Sequence, residues 1–295
     1  MNQFKILFAL IVTGTLSFTY GSNSDKLTAI IAKYEAARSY KFDKYETVEN
    51  TIKYYQKEAD FAKKLKKELV NVSEEGLTES EKISKELLLF VLQDKMDQNT
   101  YKTYLYTITN ESAFHLNLSR MGKTVFQNKE DVANYLKRLS KLPQEIAYNF
   151  DLLRASIAAN MSQPMAVFNN YDITYEKHIV ANIYDSEFYK PFKNLPKSFK
   201  KSYKDSITSV AKISITENVI NQYKKIKIFF KDEYFPNTRK ELGISSIPNG
   251  KEFYQNRINY FTTSTQYTAE DIHQIGLKEV ARIKSEMQKI IVDLD

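Results

Sequence analysis

Apolar residues recur every three or four positions along most of the chain, which is the period of an amphipathic helix. The first long run follows Thr51, with lysines and glutamates between its apolar positions. Those positions are Ile52, Tyr55, Ala59, Ala62, Leu65 and Leu69. Residues 71–76 interrupt the run, and Thr78 followed by Glu81 has the spacing of a capping box. A second helix is therefore predicted to begin at Thr78 and to bury residues 87–92.

A different pattern occupies residues 100–128. Alternate positions are taken by Tyr101, Thr103, Leu105 and Thr107. Gly122, further along, suits a turn. The segment is predicted to be loop, with at most a short hairpin near 101–127.

Helical spacing returns after this segment. A helix is predicted from Val132 to Ile157, with Pro143 as a restart or kink, and Pro164 suits the first turn of the next helix. Residues 199–235 predict one long helix, whose apolar positions are Val210, Ile213, Val219, Tyr223, Ile226 and Phe230. The β-branched residues between 207 and 220 also suit a strand. We prefer a helix because the spacing persists for too long to be one strand.

The last part of the sequence predicts two more helices. Pro236 ends the long helix, a short helix follows over residues 252–261, and Thr268 with Asp271 caps the last one. The apolar positions of this last helix are Ile272, Val280, Ile283, Met287, Ile290 and Leu294. The pattern reaches Asp295 without a terminating glycine or proline, and such a stripe must pack on something. We expect a missing partner segment, and the alternative is a natural C-terminal helix that frays.

These elements predict an all-α fold, a multi-helix array of long amphipathic helices that forms a single helical domain over residues 22–295. Residues 1–21 predict a signal peptide, because Lys5 precedes an apolar stretch and small residues precede a cleavage site between Gly21 and Ser22. The alternative is a membrane anchor or buried helix, but the stretch is shorter than the roughly 20 residues that span a bilayer. We expect an exported protein, periplasmic or extracellular, with no membrane segment after cleavage.

Composition narrows the chemistry. The chain has no cysteine, which excludes thiol catalysis, cysteine metal sites, disulfides and the lipid-attachment cysteine of a bacterial lipoprotein. The formal net charge is +7, and lysine is densest between residues 190 and 231. We interpret this region as a solvated lysine-rich helix face, and we expect no nucleic-acid partner, because arginines do not cluster and the protein is exported.

Motifs for common catalytic sites are absent from the sequence. Glycine is too scarce for a phosphate-binding loop or a nucleophile elbow. His115, His178 and His273 are far apart in sequence, and none forms a pair one helical turn apart. We expect surface or packing roles for these histidines, and a zinc site built from all three is the alternative.

Carboxylate pairs and aromatic residues are abundant but have ordinary explanations. Glu74 with Glu75 and Glu270 with Asp271 occupy predicted loop or first-turn positions, and acids at a helix start complement its dipole. Aromatic side chains that could line a carbohydrate or peptide groove are Tyr254, Tyr260, Phe261 and Tyr267. Core packing is the expected role of these aromatic residues.

Several segments resemble a known family. They are Ile247–Tyr254, Tyr260–Thr263, Tyr267–Ile283, Ser156–Pro164 and Tyr234–Pro236. The pattern is similar to DUF885, a large bacterial family known as a domain of unknown function, whose members look like zinc carboxypeptidases of the helical gluzincin type. The resemblance covers most of the chain after residue 21 and is most specific between Pro248 and Met287.

The resemblance implies zinc chemistry outside this sequence. In the family, a His-Glu-x-x-His motif with a further glutamate lies downstream of the matching segment and would hold zinc and activate a water. The chain lacks this motif, so we nominate no catalytic, metal-binding or substrate-binding residue in it, and no cofactor is expected to bind this segment alone. Zinc and a peptide substrate are expected only with a missing C-terminal segment of the same fold.

Two functions are consistent with the sequence. The preferred one is the N-terminal scaffold of an exported zinc-metallopeptidase-like protein, close to a carboxypeptidase and inactive as this fragment alone. The alternative is a non-catalytic exported helical protein that binds peptide, polysaccharide or a surface partner. The sequence leaves open whether the chain is an enzyme.

Overall fold

The fold is all-α, as predicted. A computed structural model describes residues 21–38, 47–109 and 111–294, and ten α-helices lie within them. The helices are α1 (Asn23–Arg38), α2 (Val48–Val70), α3 (Glu79–Thr100), α4 (Lys129–Ala158), α5 (Ile173–Glu176), α6 (Lys190–Lys193), α7 (Lys201–Ile215), α8 (Asn221–Phe229), α9 (Gly250–Thr262) and α10 (Ala269–Leu294). The one extended pairing among these residues is an isolated bridge between Pro164 and Arg239. Residues 1–20 of the predicted signal peptide lie outside the described residues.

The chain divides into two compact units. The first comprises Met1–Tyr40 and Lys64–Val91, and the second comprises Lys41–Lys63 and Leu92–Asp295. Helices α2 and α3 each contribute residues to both units.

The first unit contains the predicted capping box. The Thr78 backbone N–H and hydroxyl each donate to Glu81 Oε2 at 2.7 Å, and the Glu81 N–H donates to Thr78 Oγ1 at 3.3 Å. The Ser24 hydroxyl of α1 also donates to the Glu81 carboxylate, and this bond is the main reason that the pKa of Glu81 is lowered. The residues that the unit buries most completely include Leu27, Leu65 and Leu69. In the predicted buried segment 87–92, Leu88 and Leu92 are buried but Leu87 is exposed.

In the second unit, α4 is the longest helix that the structure describes. It begins at Asn128, whose side-chain oxygen accepts from the N–H groups of Glu130 at 2.8 Å and Asp131 at 3.0 Å. Asp131 completes a capping box by accepting from the Asn128 N–H. The helix continues through Pro143 to Ala158, so of the predicted restart or kink the restart does not occur.

A second long rod, residues 201–237, packs against α4. It joins α7 and α8 through a π-helical turn at Thr216–Ile220, and a second π turn at Phe230–Tyr234 leads to a 3₁₀ turn that contains Pro236. A π turn adds one residue to a helical turn, which rotates everything beyond it by about 100°. The predicted buried positions beyond residue 218 are confirmed, because Val219, Tyr223, Ile226 and Phe230 are buried.

One error lies before the first π turn. Val210 and Ile213 were predicted to face the core, but they are 49% and 60% exposed. Ile207, Ala211 and Ile215 are buried instead. Val210 is nine residues before Val219 and lies about half a turn from it even on a regular helix. The inserted residue of the π turn brings Ile207 and Ala211 onto the buried face.

The described residues near 101–127 are irregular, as predicted, and one other local prediction is wrong. The described residues near 101–127 form no hairpin; they include 3₁₀ turns at Thr103–Leu105 and Leu118–Lys123. The consecutive residues Tyr104 and Leu105 are both buried, whereas neighbours in a strand point to opposite faces. Pro164 begins only a 3₁₀ turn, Met165–Phe168, and not a long helix.

The final two helices agree with the predictions. Helix α9 covers the predicted residues 252–261, and Thr268 with Asp271 forms the capping box of α10. Every described residue of α10 is exposed, including its apolar positions. No helix in the described ranges combines the length and hydropathy that a membrane span requires.

Gly122 provides a test of the packing in the second unit. A Cβ atom at this position would lie 2.5 Å from the Glu187 carbonyl oxygen and 3.1 Å from its carbonyl carbon. We expect Gly122→Ala to lower the free energy of unfolding by about 1–3 kcal/mol in urea denaturation followed by circular dichroism, since backbone must move.

The matched control is Gly276→Ala on exposed α10, where no atom lies within 4 Å of the added Cβ. Alanine has the higher helix propensity, so this variant should be neutral or more stable by up to about 1 kcal/mol. Equal urea midpoints for Gly122→Ala and the unchanged protein would contradict the close approach.

Candidate functional site

The second unit contains a half-open cleft of about 710 Å³. Part of α2, part of α4 and the segment 103–118 form its walls. Its aromatic residues are Tyr55, Tyr104, Phe114 and Tyr148; its neutral polar residues are Thr51, Thr103, Thr107, Ser112, Asn117 and Asn149; its aliphatic residues are Ala113, Leu118 and Leu152; and its charged residues are Arg138 and Glu145. This volume lies within the range of small-molecule sites, roughly 300–1,000 Å³.

Two buried hydroxyl groups join α2 to α4 in the wall of the cleft. Thr51 Oγ1 and the Tyr148 hydroxyl are 2.6 Å apart, and Thr51 Oγ1 also lies 3.0 Å from the Thr47 carbonyl oxygen. Because a threonine hydroxyl has one proton and a carbonyl only accepts, Thr51 donates to Thr47 and accepts from Tyr148. The bond fixes the position of the Tyr148 ring.

An aromatic pair forms another part of the wall. The rings of Tyr55 and Tyr104 have centroids 4.8 Å apart and are tilted by 34°. Tyr104 is buried, and burial raises the pKa of its hydroxyl. The neighbouring Thr107 places a buried Oγ1 here that has no hydrogen-bond partner among the described residues.

One ion pair lies in the lining of the cleft. Arg138 Nη1 donates to Glu145 Oε1 at 2.6 Å, and both side chains are partly exposed. The residues are seven apart on α4, on either side of Pro143. The remaining guanidinium N–H groups and Glu145 Oε2 have no hydrogen-bond partner in the part of the chain that the structure describes, so the pair presents adjacent donors and acceptors to a ligand.

The cleft contains none of the histidines, carboxylate pairs or aromatic residues that the sequence analysis weighed as candidate site residues. A usable signal was nevertheless present, because Arg138 and Glu145 are two helical turns apart and Tyr148 and Leu152 continue along α4 at spacings of three and four. The remaining lining residues could not be found this way, since they come from separate segments.

His115 lies in the aromatic core of the second unit. It is fully buried, and its Nε2 is 3.0 Å from Thr174 Oγ1. The Thr174 hydroxyl donates to the Tyr171 carbonyl oxygen, so it must accept from His115, which assigns the proton to Nε2. Burial, and to a lesser extent the charges of His178 and Lys177, lowers the pKa of His115 to about 3.

His178 is buried in the same core. Its ring lies 4.5 Å from that of Tyr223, whose hydroxyl donates to the His115 carbonyl oxygen at 3.0 Å. Burial is also the main reason that the pKa of His178 is lowered to about 4. His273 lies on exposed α10. In residues 21–38, 47–109 and 111–294, no three histidine or carboxylate side chains are grouped as metal ligands.

The carboxylate pairs have structural roles. Glu74 Oε1 lies 3.1 Å from Lys85 Nζ, and the Glu75 carbonyl accepts from the Asn23 amide at 3.0 Å. Asp271 accepts the Thr268 hydroxyl and N–H bonds that cap α10, and these bonds lower its pKa. Glu270 accepts a bond from Gln274 on the same helix.

The aromatic group near α9 does not form a core. Tyr254, Phe261 and Tyr267 are exposed, and Phe261 reaches 78% exposure. Tyr260 packs its ring under the Arg257 guanidinium at 4.7 Å. The expectation of core packing is therefore wrong for these three residues, which lie in the first half of α9, at its end and in the loop before α10.

The predicted cleavage site precedes an ordered helix start. The Ser22 N–H and hydroxyl donate to Asp25 Oδ2 at 2.9 and 2.8 Å, and Ser22 Oγ accepts from the Asp25 N–H. Ser22 thus caps α1, while cleavage after Gly21 stays a prediction.

Comparison with known proteins identifies relatives by sequence family and by fold. The family model described as bacterial protein of unknown function (DUF885) matches residues 38–295. A crystal structure of a candidate lipoprotein from Colwellia psychrerythraea is similar, with a TM-score of 0.68 and 15% identity over 92% of this chain and 50% of that chain. The chain therefore spans half the length of this structural neighbour. The comparison with curated proteins found no match.

The buried histidines predict a pH dependence of stability. Their pKa values are lower in the folded than in the unfolded protein, where histidine titrates near 6.5, so the unfolded state binds more protons below pH 6.5. Stability should be full above that pH and fall as the pH decreases toward 4. Between pH 7.5 and pH 5 each histidine should lower the free energy of unfolding by about 2 kcal/mol.

Urea denaturation at these two pH values measures the effect. His115→Gln should destabilise the protein at pH 7.5. It should also reduce the difference in the free energy of unfolding between pH 7.5 and pH 5 by roughly 2 kcal/mol, the contribution of one buried histidine. The exposed control His273→Gln should leave the difference unchanged. An unaltered difference in His115→Gln would show that His115 is not buried in its neutral form.

Proposed function

Since the chain belongs to the DUF885 family, we propose that residues 22–295 form the N-terminal scaffold of an exported zinc-metallopeptidase-like protein, close to a carboxypeptidase. The metal-binding motif and the catalytic water would be provided by a C-terminal segment of the same fold. The substrate would be a peptide. This region alone would bind no zinc and have no peptidase activity.

Helix α10 is the observation that carries this proposal. Its 26 residues have apolar side chains at helical spacing, and all those described are exposed. They include Ile272, Ile275, Val280, Ile283, Met287, Ile290 and Ile291. A contiguous apolar stripe of this length is typical of a surface that another element covers.

The length of the structural neighbour favours a C-terminal segment of the same polypeptide as the element that covers the α10 stripe. That neighbour has the fold of this region in about half of its chain, and the other half is further polypeptide. A corresponding C-terminal segment is the simplest occupant of the α10 stripe, because a tethered segment has a high effective concentration at its docking site.

Export is supported by the signal-peptide pattern before Ser22. The neighbour is named as a candidate lipoprotein, but this sequence contains no cysteine to carry a lipid. We propose an exported protein.

A second candidate function is an exported, non-catalytic binding protein. The cleft of the second unit favours it, because its lining combines aromatic and neutral polar side chains in a volume that suits a small ligand. Metal content and peptidase activity distinguish the two functions.

The first experiment concerns zinc. The purified chain from Ser22 to Asp295 should contain much less than one zinc per molecule and release no amino acids from peptides. The reading frame beyond codon 295 should encode His-Glu-x-x-His, and the extended polypeptide should hold one zinc per molecule. Stoichiometric zinc in residues 22–295, or a downstream sequence without the motif, would overturn the scaffold proposal.

The second experiment concerns the stripe. In the extended polypeptide, Ile283→Glu should lower the free energy of unfolding by about 1–3 kcal/mol, since a covered apolar position would receive a charge. In residues 22–295 alone it should not destabilise the fold. Ser285→Glu adds the same charge to the same helix at a polar position and should have little effect in either protein. Equal stability of both variants in the extended polypeptide would show that the stripe is not covered.

A further inference from the structure

The cleft of the second unit has a lining that restricts the chemistry of its ligand. Its only charged side chains, Arg138 and Glu145, neutralise each other, and no lysine or histidine is among the lining residues. The net charge of +7 therefore lies elsewhere on the protein. A phosphate or carboxylate ligand would find no unpaired cation here, so the lining favours an uncharged ligand.

Most of the remaining polar groups are hydroxyls and side-chain amides. Thr103, Ser112, Asn117 and Asn149 belong to this set, and each such group can both donate and accept hydrogen bonds. A ligand that itself carries many hydroxyl groups matches them, because each ligand hydroxyl can also serve in either role.

The ion pair discriminates further. Arg138 uses Nη1 toward Glu145 Oε1, which leaves N–H donors beside a carboxylate acceptor. Two adjacent ligand hydroxyls can accept from the guanidinium and donate to the carboxylate at the same time. A single trans peptide unit cannot do so, since its N–H and C=O point in opposite directions, and a peptide would have to use the N–H and C=O of one extended residue.

The aromatic wall fits the apolar side of such a ligand. Tyr55 and Tyr104 form a tilted pair with centroids 4.8 Å apart, and the Tyr148 hydroxyl is bonded to Thr51. Aromatic faces carry negative potential and attract the weakly positive C–H groups of a saturated ring. A pyranose ring has this combination of C–H groups on its faces and hydroxyls around its rim.

We infer that this cleft binds a short neutral oligosaccharide, with adjacent sugar hydroxyls on the Arg138–Glu145 pair and a sugar ring against Tyr55 and Tyr104. The cleft volume of about 710 Å³ is sufficient for a ligand of drug size, which corresponds to a few sugar rings. The site belongs entirely to the second unit, and it requires neither zinc nor a C-terminal segment.

Saturation-transfer difference NMR and calorimetry on residues 22–295 test the inference. The probes are maltose, cellobiose and N,N′-diacetylchitobiose at millimolar concentration, with acetyl-trialanine amide as the uncharged peptide comparator. At least one disaccharide should bind and the peptide should not. Binding of the peptide alone, or of no probe, would overturn the oligosaccharide site.

Variants of the ion pair locate the binding. Arg138→Met keeps the aliphatic length but removes the donors, and it should weaken disaccharide binding by about tenfold or more. Arg120→Met, an exposed arginine outside the cleft, should leave affinity unchanged. Disaccharide binding that is equal in Arg138→Met and the unchanged protein would place the ligand elsewhere and overturn the site.

Glu145→Gln is a second variant that tests the ion pair even if Arg138→Met does not fold. It keeps an acceptor at the same place, so it should weaken binding by less than Arg138→Met at an unchanged melting temperature. If Arg138→Met does not fold, equal affinity in Glu145→Gln and the unchanged protein would overturn the role of the pair. These results are independent of zinc content and peptidase activity, so failure here and failure of the scaffold proposal can be told apart.

Discussion

Helix α4 packs against the long rod of residues 201–237, and the rest of the second unit depends on this contact. Phe150 stacks on Phe229 with centroids 4.2 Å apart and ring planes within 11°. Arg154 closes the edge of the contact with two bonds to Glu233, at 2.7 and 2.9 Å, and lies over the Phe229 ring. Because the aromatic rings can stack only when both helices are in register, the contact fixes α4 in position and rotation.

The side of α4 that faces away from Phe229 forms part of the cleft wall. Arg138, Glu145, Tyr148 and Leu152 line the cleft, while Leu139, Leu142, Ile146 and Leu153 lie in the core. Helical spacing assigns these two sets to different faces of one helix. The geometry of the cleft is therefore determined by packing on the far side of its wall, which is how a rigid element holds binding groups in place.

Helical period and capping chemistry were sufficient to predict most of the fold. The Thr78–Glu81 and Thr268–Asp271 boxes form as expected, since a capping box depends on residues only three positions apart. The π turn at Thr216–Ile220 could not be predicted this way, because the β-branched residues around it suit several backbone conformations. Its inserted residue places Ile207 and Ala211 on the buried face, whereas Val210 and Ile213 are exposed.

The candidate site was harder to predict than the fold for a related reason. Tyr55, Tyr104 and Tyr148 come from three separate segments, and nothing local in the sequence brings them together. His115 is a second example: its complete burial follows from long-range aromatic packing with Tyr171 and Phe230, which its isolated position in the sequence does not indicate. Periodicity identifies faces of helices, whereas tertiary packing decides which faces meet.

Because the apolar stripe of α10 is exposed, the stability of this helix depends on the concentration of any molecule that binds the stripe. Helices in water obtain most of their stability from packing of an apolar face, and α10 has no such packing among the described residues. Any molecule that covers the stripe adds a binding free energy to the folded helix, which grows with the logarithm of the free concentration of that molecule. The stability of helix 269–294 therefore depends on the concentration of whatever covers its apolar stripe, as well as on its own sequence.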